Sequence, residues 1–299
     1  MGDTLVLLNA RAGTLIDAGA ERVRDELVAS MKGRCRREDI RLVKPRALIE
    51  AIEAAARSDY ATIVVGGGDG SMSCAAHALR GTGKTLGVLP FGTMNLFARD
   101  LGMPANVHEA IVALGEAKPR VIDLAEVNGR SFHSLSGLGF FSQMARAREE
   151  VRGHPLGRLM GVFVAAYRAV KRSGTFTLEI RSNGRREQVH ALAVLVTNNR
   201  FGLDWRRPVL DEGVLEVHIV EHAGALGKLR ATADLLTGAW RNDDDDDGIR
   251  SFVTDHVVID RTRRRAWAST DGELVRERVP LHYAVAKRAL TVLSLPEPA

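Results

Sequence analysis

Residues 61–79 read ATIVVGGGDGSMSCAAHAL, and the fold turns on the change of character in their middle. Thr62 to Val65 are rich in β-branched residues, Gly66, Gly67, Gly68 and Gly70 surround Asp69, and the small residues that follow suit a helix. A strand that passes through glycines into a helix brings free helical N–H groups and a positive dipole end to whatever the glycines let approach. A phosphate fits that description. The same residues also suit a tight strand-to-helix turn with Asp69 as its cap.

Working outward, TLVLL at 4–8 and TLGVL at 85–89 are short apolar runs bounded by Asn, Gly or Pro, as expected of strands buried on both faces. Between them, Ile16, Ala20, Val23, Leu27 and Met31 recur at helical spacing, as do Leu48, Ile52 and Ala55. Alternation of this kind up to about residue 120 predicts a parallel sheet with crossover helices. After VIDLAEV at 121–127 the rhythm changes. In TFTLEI at 175–180, Phe176, Leu178 and Ile180 share one face, and similar runs follow at 189–197, 214–220, 256–260 and 265–269. These predict a mainly antiparallel second domain, with helices at about 155–171 and 225–240 and a boundary near residue 124. The aspartates at 243–247 repel one another and predict a solvated loop.

Bulk properties narrow the function. A chain of 299 residues with 45% hydrophobic content can bury the cores of two ordinary domains. Its net charge of +5, with clusters at Arg34, Arg36, Arg37 and at Arg261, Arg263, Arg264, Arg265, suits nucleotides, polyanions or an anionic membrane surface, and equally a solvated basic face. Cys35 and Cys74 make neither a disulfide framework nor a metal-ligand pattern, which points to a reducing compartment. MGDTLVLLNARAG lacks the features of a signal peptide, and LMGVFVAAY at 159–167 is too short to span a bilayer and is flanked by Arg158 and Arg168. A cytoplasmic location is expected, with peripheral contact at the inner face of the membrane.

Two familiar phosphate motifs fail. A dinucleotide fingerprint needs a third glycine where Ser71 stands and an acid about twenty residues later, yet no Asp or Glu recurs before Asp100. GKT at 83–85 would put Ala78 at the first glycine of a P-loop and leads into a strand instead of a helix. What remains is a phosphate cradle containing an acid, which suits a site where Asp69 holds magnesium or accepts a proton. PFGTMNLFARDLG at 90–102 also follows a short strand, and loops at the carboxyl ends of parallel strands face one site.

These segments together resemble the diacylglycerol kinase catalytic-domain family, which includes bacterial lipid kinases and sphingosine kinases. LLNARAG at 7–13 is similar to its Asn-Pro-x-x-Gly turn, GGDGS at 67–71 to its Gly-Gly-Asp-Gly-Thr loop, and PFGTMNLFARDLG to its Gly-Thr-x-Asn-Asp segment. IDLAEVNGRSF at 122–132, PVLDEGVLEV at 208–217 and DGE at 271–273 follow in the family's order. The resemblance implies an α/β nucleotide-binding domain of NAD kinase and phosphofructokinase type, followed by a β-sandwich, with the active site in the cleft between them. LTVLSL at 290–295 is the strand expected to return to the first domain, giving domains 1–124 plus 287–299 and 125–286.

The implied reaction transfers the γ-phosphoryl group of ATP to a lipid hydroxyl with Mg2+. By the same resemblance, Asn9, Gly13, Gly67, Gly68, Asp69, Gly70, Ser71, Gly92, Thr93 and Asn95 line the nucleotide. Glu273 is the general base, with Asp69 beside the triphosphate. Glu212 and the carbonyls of Val209 and Val214 hold a structural cation, and Asp123 either joins a magnesium network or ties down a strand end. Asp271 reads as a turn former. The expected partner is a lipid met at a membrane surface; nucleic acid is not expected, and a homodimer is compatible with the sequence.

The chain departs from the family pattern at Leu96, where the family has Asp, and at Arg11, where it has Pro. Leu96 cannot bind magnesium, so a nucleotide-binding regulatory protein with weak or lost kinase activity is the alternative. NAD kinase is disfavoured because no Asn in the chain is followed by Glu.

Overall fold

The computed structural model describes residues 2–150, 174–202, 206–221 and 248–296. The helices expected at 155–171 and 225–240 and the aspartate run at 243–247 lie outside the described residues. The chain forms two compact units, Met1–Leu124 with Ala286–Ala299, and Ala125–Val285.

In the first unit, β1 (Thr4–Asn9), β2 (Ile40–Val43), β3 (Thr62–Gly67) and β4 (Thr85–Pro90) are strictly parallel, and the end of β15 (Leu281–Ser294) pairs parallel with β4 through Thr291↔Thr85. The order β2–β1–β3–β4–β15 reverses direction between β1 and β3. In open α/β sheets such a switch leaves a crevice at the carboxyl ends of the two strands. Leu5, Val6, Leu7, Leu8, Ile63, Val64 and Val65 are each at most 2% exposed, as strands covered on both faces require.

Helices α1 (Gly13–Ala18), α2 (Ala20–Ser30), α3 (Pro45–Ala56), α4 (Asp69–Leu79), α5 (Leu96–Asp100) and α6 (Val107–Glu116) connect these strands. α3 starts with Pro45 in its first turn and buries Leu48, Ile52 and Ala55, the stripe its periodicity predicts. α6 is capped by Asn106, whose side chain accepts from the N–H groups of His108 and Glu109. The apolar repeat from Ile16 to Met31 is not one helix. Gly19, with φ 84°, ends α1 and starts α2 in a new phase, so Val23, Leu27 and Met31 are buried while Ile16 is 63% exposed.

The second unit is strand-rich and antiparallel. β5 (Lys118–Val127) carries the chain into it and is followed by β6 (Arg130–Phe132), β7 (Leu135–Gly139), α7 (Phe140–Glu150), β8 (Phe176–Ser182), β9 (Arg185–Asn198), β10 (Leu215–Glu221), β11 (Ile249–Thr254), β12 (His256–Asp260), β13 (Arg265–Thr270) and β14 (Glu273–Arg278). The long β9 changes partners along its length. Its first half pairs with β8 and its second half with β7 and β10. Phe132, Leu178, Ile180, Val194, Val217, Ile259 and Tyr283 lie in its core, with Phe132 edge-on to Tyr283 at 6.2 Å between ring centroids. The architecture is therefore an α/β sheet domain followed by a strand-rich one.

Candidate functional site

The register of the first unit pairs Leu8 with Gly66 and Gly67 with Pro90. The turns that follow β1, β3 and β4 therefore emerge side by side at the β1/β3 switch. Among the residues expected to bind nucleotide, Asn9, Gly67, Gly68, Asp69, Gly70, Ser71, Gly92 and Asn95 belong to these three turns and the start of α4.

After β3, Gly68 is the residue preceding α4, with φ −94° and ψ −178°, and Ser71 and Met72 N–H groups return to its carbonyl at 2.9 and 3.1 Å. The first N–H groups of a helix have no partner within it, so α4 presents donors and its positive end at this edge. None of Gly66, Gly67, Gly68 and Gly92 has a positive φ. For Gly66, Gly67 and Gly92 the glycine identity comes from crowding. A Cβ on Gly66 would lie 2.6 Å from Phe91 Cε2 and 2.7 Å from Leu8 Cδ2; one on Gly67 would lie 2.6 Å from Ser71 Oγ. A Cβ on Gly92 would lie 2.5 Å from Gly68 Cα. The two loops pack backbone to backbone, an approach of loop to loop that the sequence, read for the approach of an anion, does not contain.

The side chains of these loops hold the loops themselves. Asn95 sits at φ 48° before α5; its Oδ1 accepts from Gly92 N–H at 2.8 Å and its Nδ2 donates to Gly92 O at 2.9 Å. Asn95 thus builds the turn. Asp69 Oδ1 accepts from Phe97 N–H at 3.4 Å, joining the start of α4 to the first turn of α5. Asn9 Oδ1 accepts from Arg11 N–H at 3.1 Å and Asn9 O from Ala12 N–H at 3.0 Å, closing the turn that leads to Gly13 at the start of α1. Thr14, to which the motifs gave no role, donates to Phe91 O at 3.4 Å across 77 positions. Thr93 is exposed at the tip of its turn, and Leu96 is half-buried at the start of α5.

Asp123 lies apart from these turns in its bonding. It is 1% exposed in β5 and accepts from Arg288 N–H at 2.7 Å, holding the left-handed residue of β15 at φ 52°. Of the two expectations for Asp123, this contact is the strand tie.

In the second unit, Glu273 opens β14 with a side chain 46% exposed and lies 3.5 Å from Arg130 Nη2. Asp271 does more than turn the chain. Only 5% exposed and at φ 47°, it accepts from His133 N–H at 3.0 Å, Ser134 N–H at 2.9 Å and Leu135 N–H at 3.2 Å. It therefore fastens the turn before Glu273 to the start of β7.

Two of the three members of the expected structural-cation set are engaged within the chain. Glu212 forms an ion pair with the Arg200 guanidinium, Val214 O accepts from Asn199 N–H at 2.9 Å, and Val209 is 43% exposed. Among the described residues, no group of three or more His, Cys, Asp and Glu is placed to hold a metal ion. Nor is any described helix long and apolar enough to cross a membrane.

The diacylglycerol kinase catalytic domain model matches residues 3–127. A Pseudomonas aeruginosa protein named "Probable lipid kinase YegS-like" is 43% identical over 101 residues, covering 33% of each chain. A Bacillus subtilis diacylglycerol kinase is 28% identical over 200 residues, covering 64% of this chain and 66% of its own. The matches span half the length or less of the first curated relatives. A solved Bacillus anthracis diacylglycerol kinase superposes with a TM-score of 0.68 at 18% identity, covering 98% of this chain and 97% of that one, and this shows the fold. Residues 3–127, whose glycine loop, neighbouring turns and switch-point sheet have just been described, are thus similar to the diacylglycerol kinase catalytic domain.

Proposed function

We propose that the protein is a lipid kinase that transfers the γ-phosphoryl group of ATP to a lipid hydroxyl. The observation that carries this reading is the convergence of three turns at the β1/β3 switch. There the Gly68 and Gly92 backbones are packed too closely for a side chain on Gly92, and the N-terminus of α4 faces out of the same edge. Such a surface offers backbone N–H donors, the recognition that phosphate oxygens favour.

Phosphoryl transfer needs positioning and charge neutralisation more than covalent chemistry from the protein. In this reading α4 and the two glycine turns hold the phosphates. Asn95 and Thr14 keep the turns in place, and Asp69 ties α4 to α5. Magnesium, when bound with ATP, would neutralise phosphate charge. Mg2+ commonly takes one or two carboxylates and otherwise phosphate and water, and Asp69 is the carboxylate that the glycine loop supplies. Glu273 would receive the proton of the acceptor hydroxyl, on a turn that Asp271 fixes through three backbone N–H groups.

The test is phosphorylation of a panel of lipids with labelled ATP and magnesium. Glu273→Gln is expected to lower turnover about 10²–10⁴-fold while ATP still binds. Unchanged turnover in that variant would remove Glu273 from the mechanism. Leu96, apolar at the start of α5 where the family carries Asp, favours the second reading of a nucleotide-binding protein without turnover. That reading predicts saturable ATP binding with no phosphorylated product, and a gain of product in Leu96→Asp.

A further inference from the structure

The β13–β14 hairpin carries a basic, aromatic face to which no catalytic role is assigned. Its register sets Arg265 opposite Arg278 and Trp267 opposite Arg276. Side chains alternate along a strand, and Ala266 and Ala268, which flank Trp267, are 2% and 0% exposed. The four larger residues therefore share the outward face. Arg263 and Arg264 extend it into the preceding loop, and all six are exposed, Trp267 at 40%.

This arrangement costs stability on its own. Like charges directly opposite in a strand pair repel, and Arg265 against Arg278 is such a pair. The neighbouring acid, Glu277, stands opposite Ala266 in the alternate register and accepts from Asn128 at 3.4 Å. An anionic surface laid over the face would turn the repulsion into attraction.

Trp267 indicates which kind of surface. The guanidinium of Arg146 lies 5.2 Å and that of Arg276 5.9 Å from its ring centroid. Cations over the ring leave it poorly placed to stack on a nucleobase, the usual use of an exposed aromatic in nucleic-acid binding. An indole among arginines instead matches the headgroup level of a bilayer, where Trp is enriched and basic residues meet anionic lipid.

We propose that this hairpin face docks the protein on an anionic lipid bilayer, its arginines meeting phospholipid phosphates and Trp267 entering the interfacial layer. The proposal deepens the lipid-kinase reading and rests on it for its purpose, since an enzyme with a membrane-bound acceptor must first reach the surface.

The experiment is co-sedimentation of the full chain with phosphatidylcholine vesicles, with and without phosphatidylglycerol. Binding is expected only to the anionic vesicles and is expected to fall with added salt. The triple variant Arg265→Gln, Arg276→Gln, Arg278→Gln should weaken it about 10²-fold, at roughly fivefold per arginine. Lys at the same three positions should preserve it, which separates charge from misfolding, and Trp267→Ala should weaken it severalfold. Equal binding by the Gln variant, or equal binding to neutral vesicles, would overturn the proposal and leave the arginines as guards of an edge strand. So would arginine-dependent binding of a polynucleotide without vesicle binding. Phosphorylation of a detergent-dispersed acceptor reports separately on the kinase reading. If docking is wrong, that activity survives without any preference for anionic vesicles; if the kinase reading is wrong, vesicle binding survives without product.

Discussion

Gly92→Ala and Gly68→Ala distinguish crowding from flexibility as the reason for glycine at the proposed phosphate site. A methyl group on Gly92 would sit 2.5 Å from Gly68 Cα and 2.7 Å from Asn95 Oδ1, whereas ordinary van der Waals contact begins at 3.4 Å. The loops must part by roughly 1 Å, and the obstacle on one side is backbone. Overpacking of this kind costs about 1–3 kcal/mol, which lowers the melting temperature by about 3–9 °C at roughly 3 °C per kcal/mol. A methyl group on Gly68 would sit 3.3 Å from Gly92 Cα, at a backbone angle open to any residue. The neighbour yields a few tenths of an ångström, and the loss of unfolded-chain entropy returns about 0.4–1 kcal/mol, so the net change is expected near zero. Thermal melts of both variants, beside turnover with labelled ATP, make the comparison. Gly92→Ala should melt lower and lose about 10²-fold in turnover, the usual consequence of a 1 Å misplacement in a site. A Gly92→Ala protein that melts and turns over like the parent, or a Gly68→Ala protein that falls as far, would refute the crowding argument.

Two more outcomes follow from buried groups. Asp271→Ala strips three backbone N–H groups of their acceptor and should cost about 3–5 kcal/mol, read by denaturant unfolding, with Asp271→Asn intermediate because its one remaining oxygen keeps the Ser134 and Leu135 donors; equal stability of Asp271→Ala would rule out the fastening role. Cys35, 2% exposed and raised to about 12 by burial and then by Asp39 and Asp3, should resist iodoacetamide at pH 9, where about one thiol in a thousand is ionised; alkylation at the rate of a free thiol would contradict this.

Local pattern alone determined much of the first unit. Short apolar runs bounded by Asn, Gly or Pro became β1, β3 and β4, and the Leu48, Ile52, Ala55 stripe became the buried face of α3. Helical and strand periods are properties of neighbouring residues, so they are legible without the fold. The same logic failed at Ile16, because a helical repeat does not reveal where Gly19 resets the phase. It also missed β2, whose four residues carry too little pattern to mark a strand. The motifs placed Asn9, Gly68, Asp69 and Gly92 in one site, and the parallel register brought their turns to one edge.

Only the tertiary structure decided what those residues do to one another. That Gly92 is glycine because Gly68 lies against it, that Asn95 clamps its own turn, and that Asp271 holds His133, Ser134 and Leu135 are facts about pairs, some far apart in the chain. Composition registered the arginines at 261–265, yet the face that Arg265 shares with Trp267, Arg276 and Arg278 exists only because the hairpin register sets them opposite one another. Spacing along the chain fixes periodicity and turn chemistry, which act over a few residues; which distant backbones and charges meet is fixed by packing, where excluded volume and hydrogen-bond satisfaction select the partner.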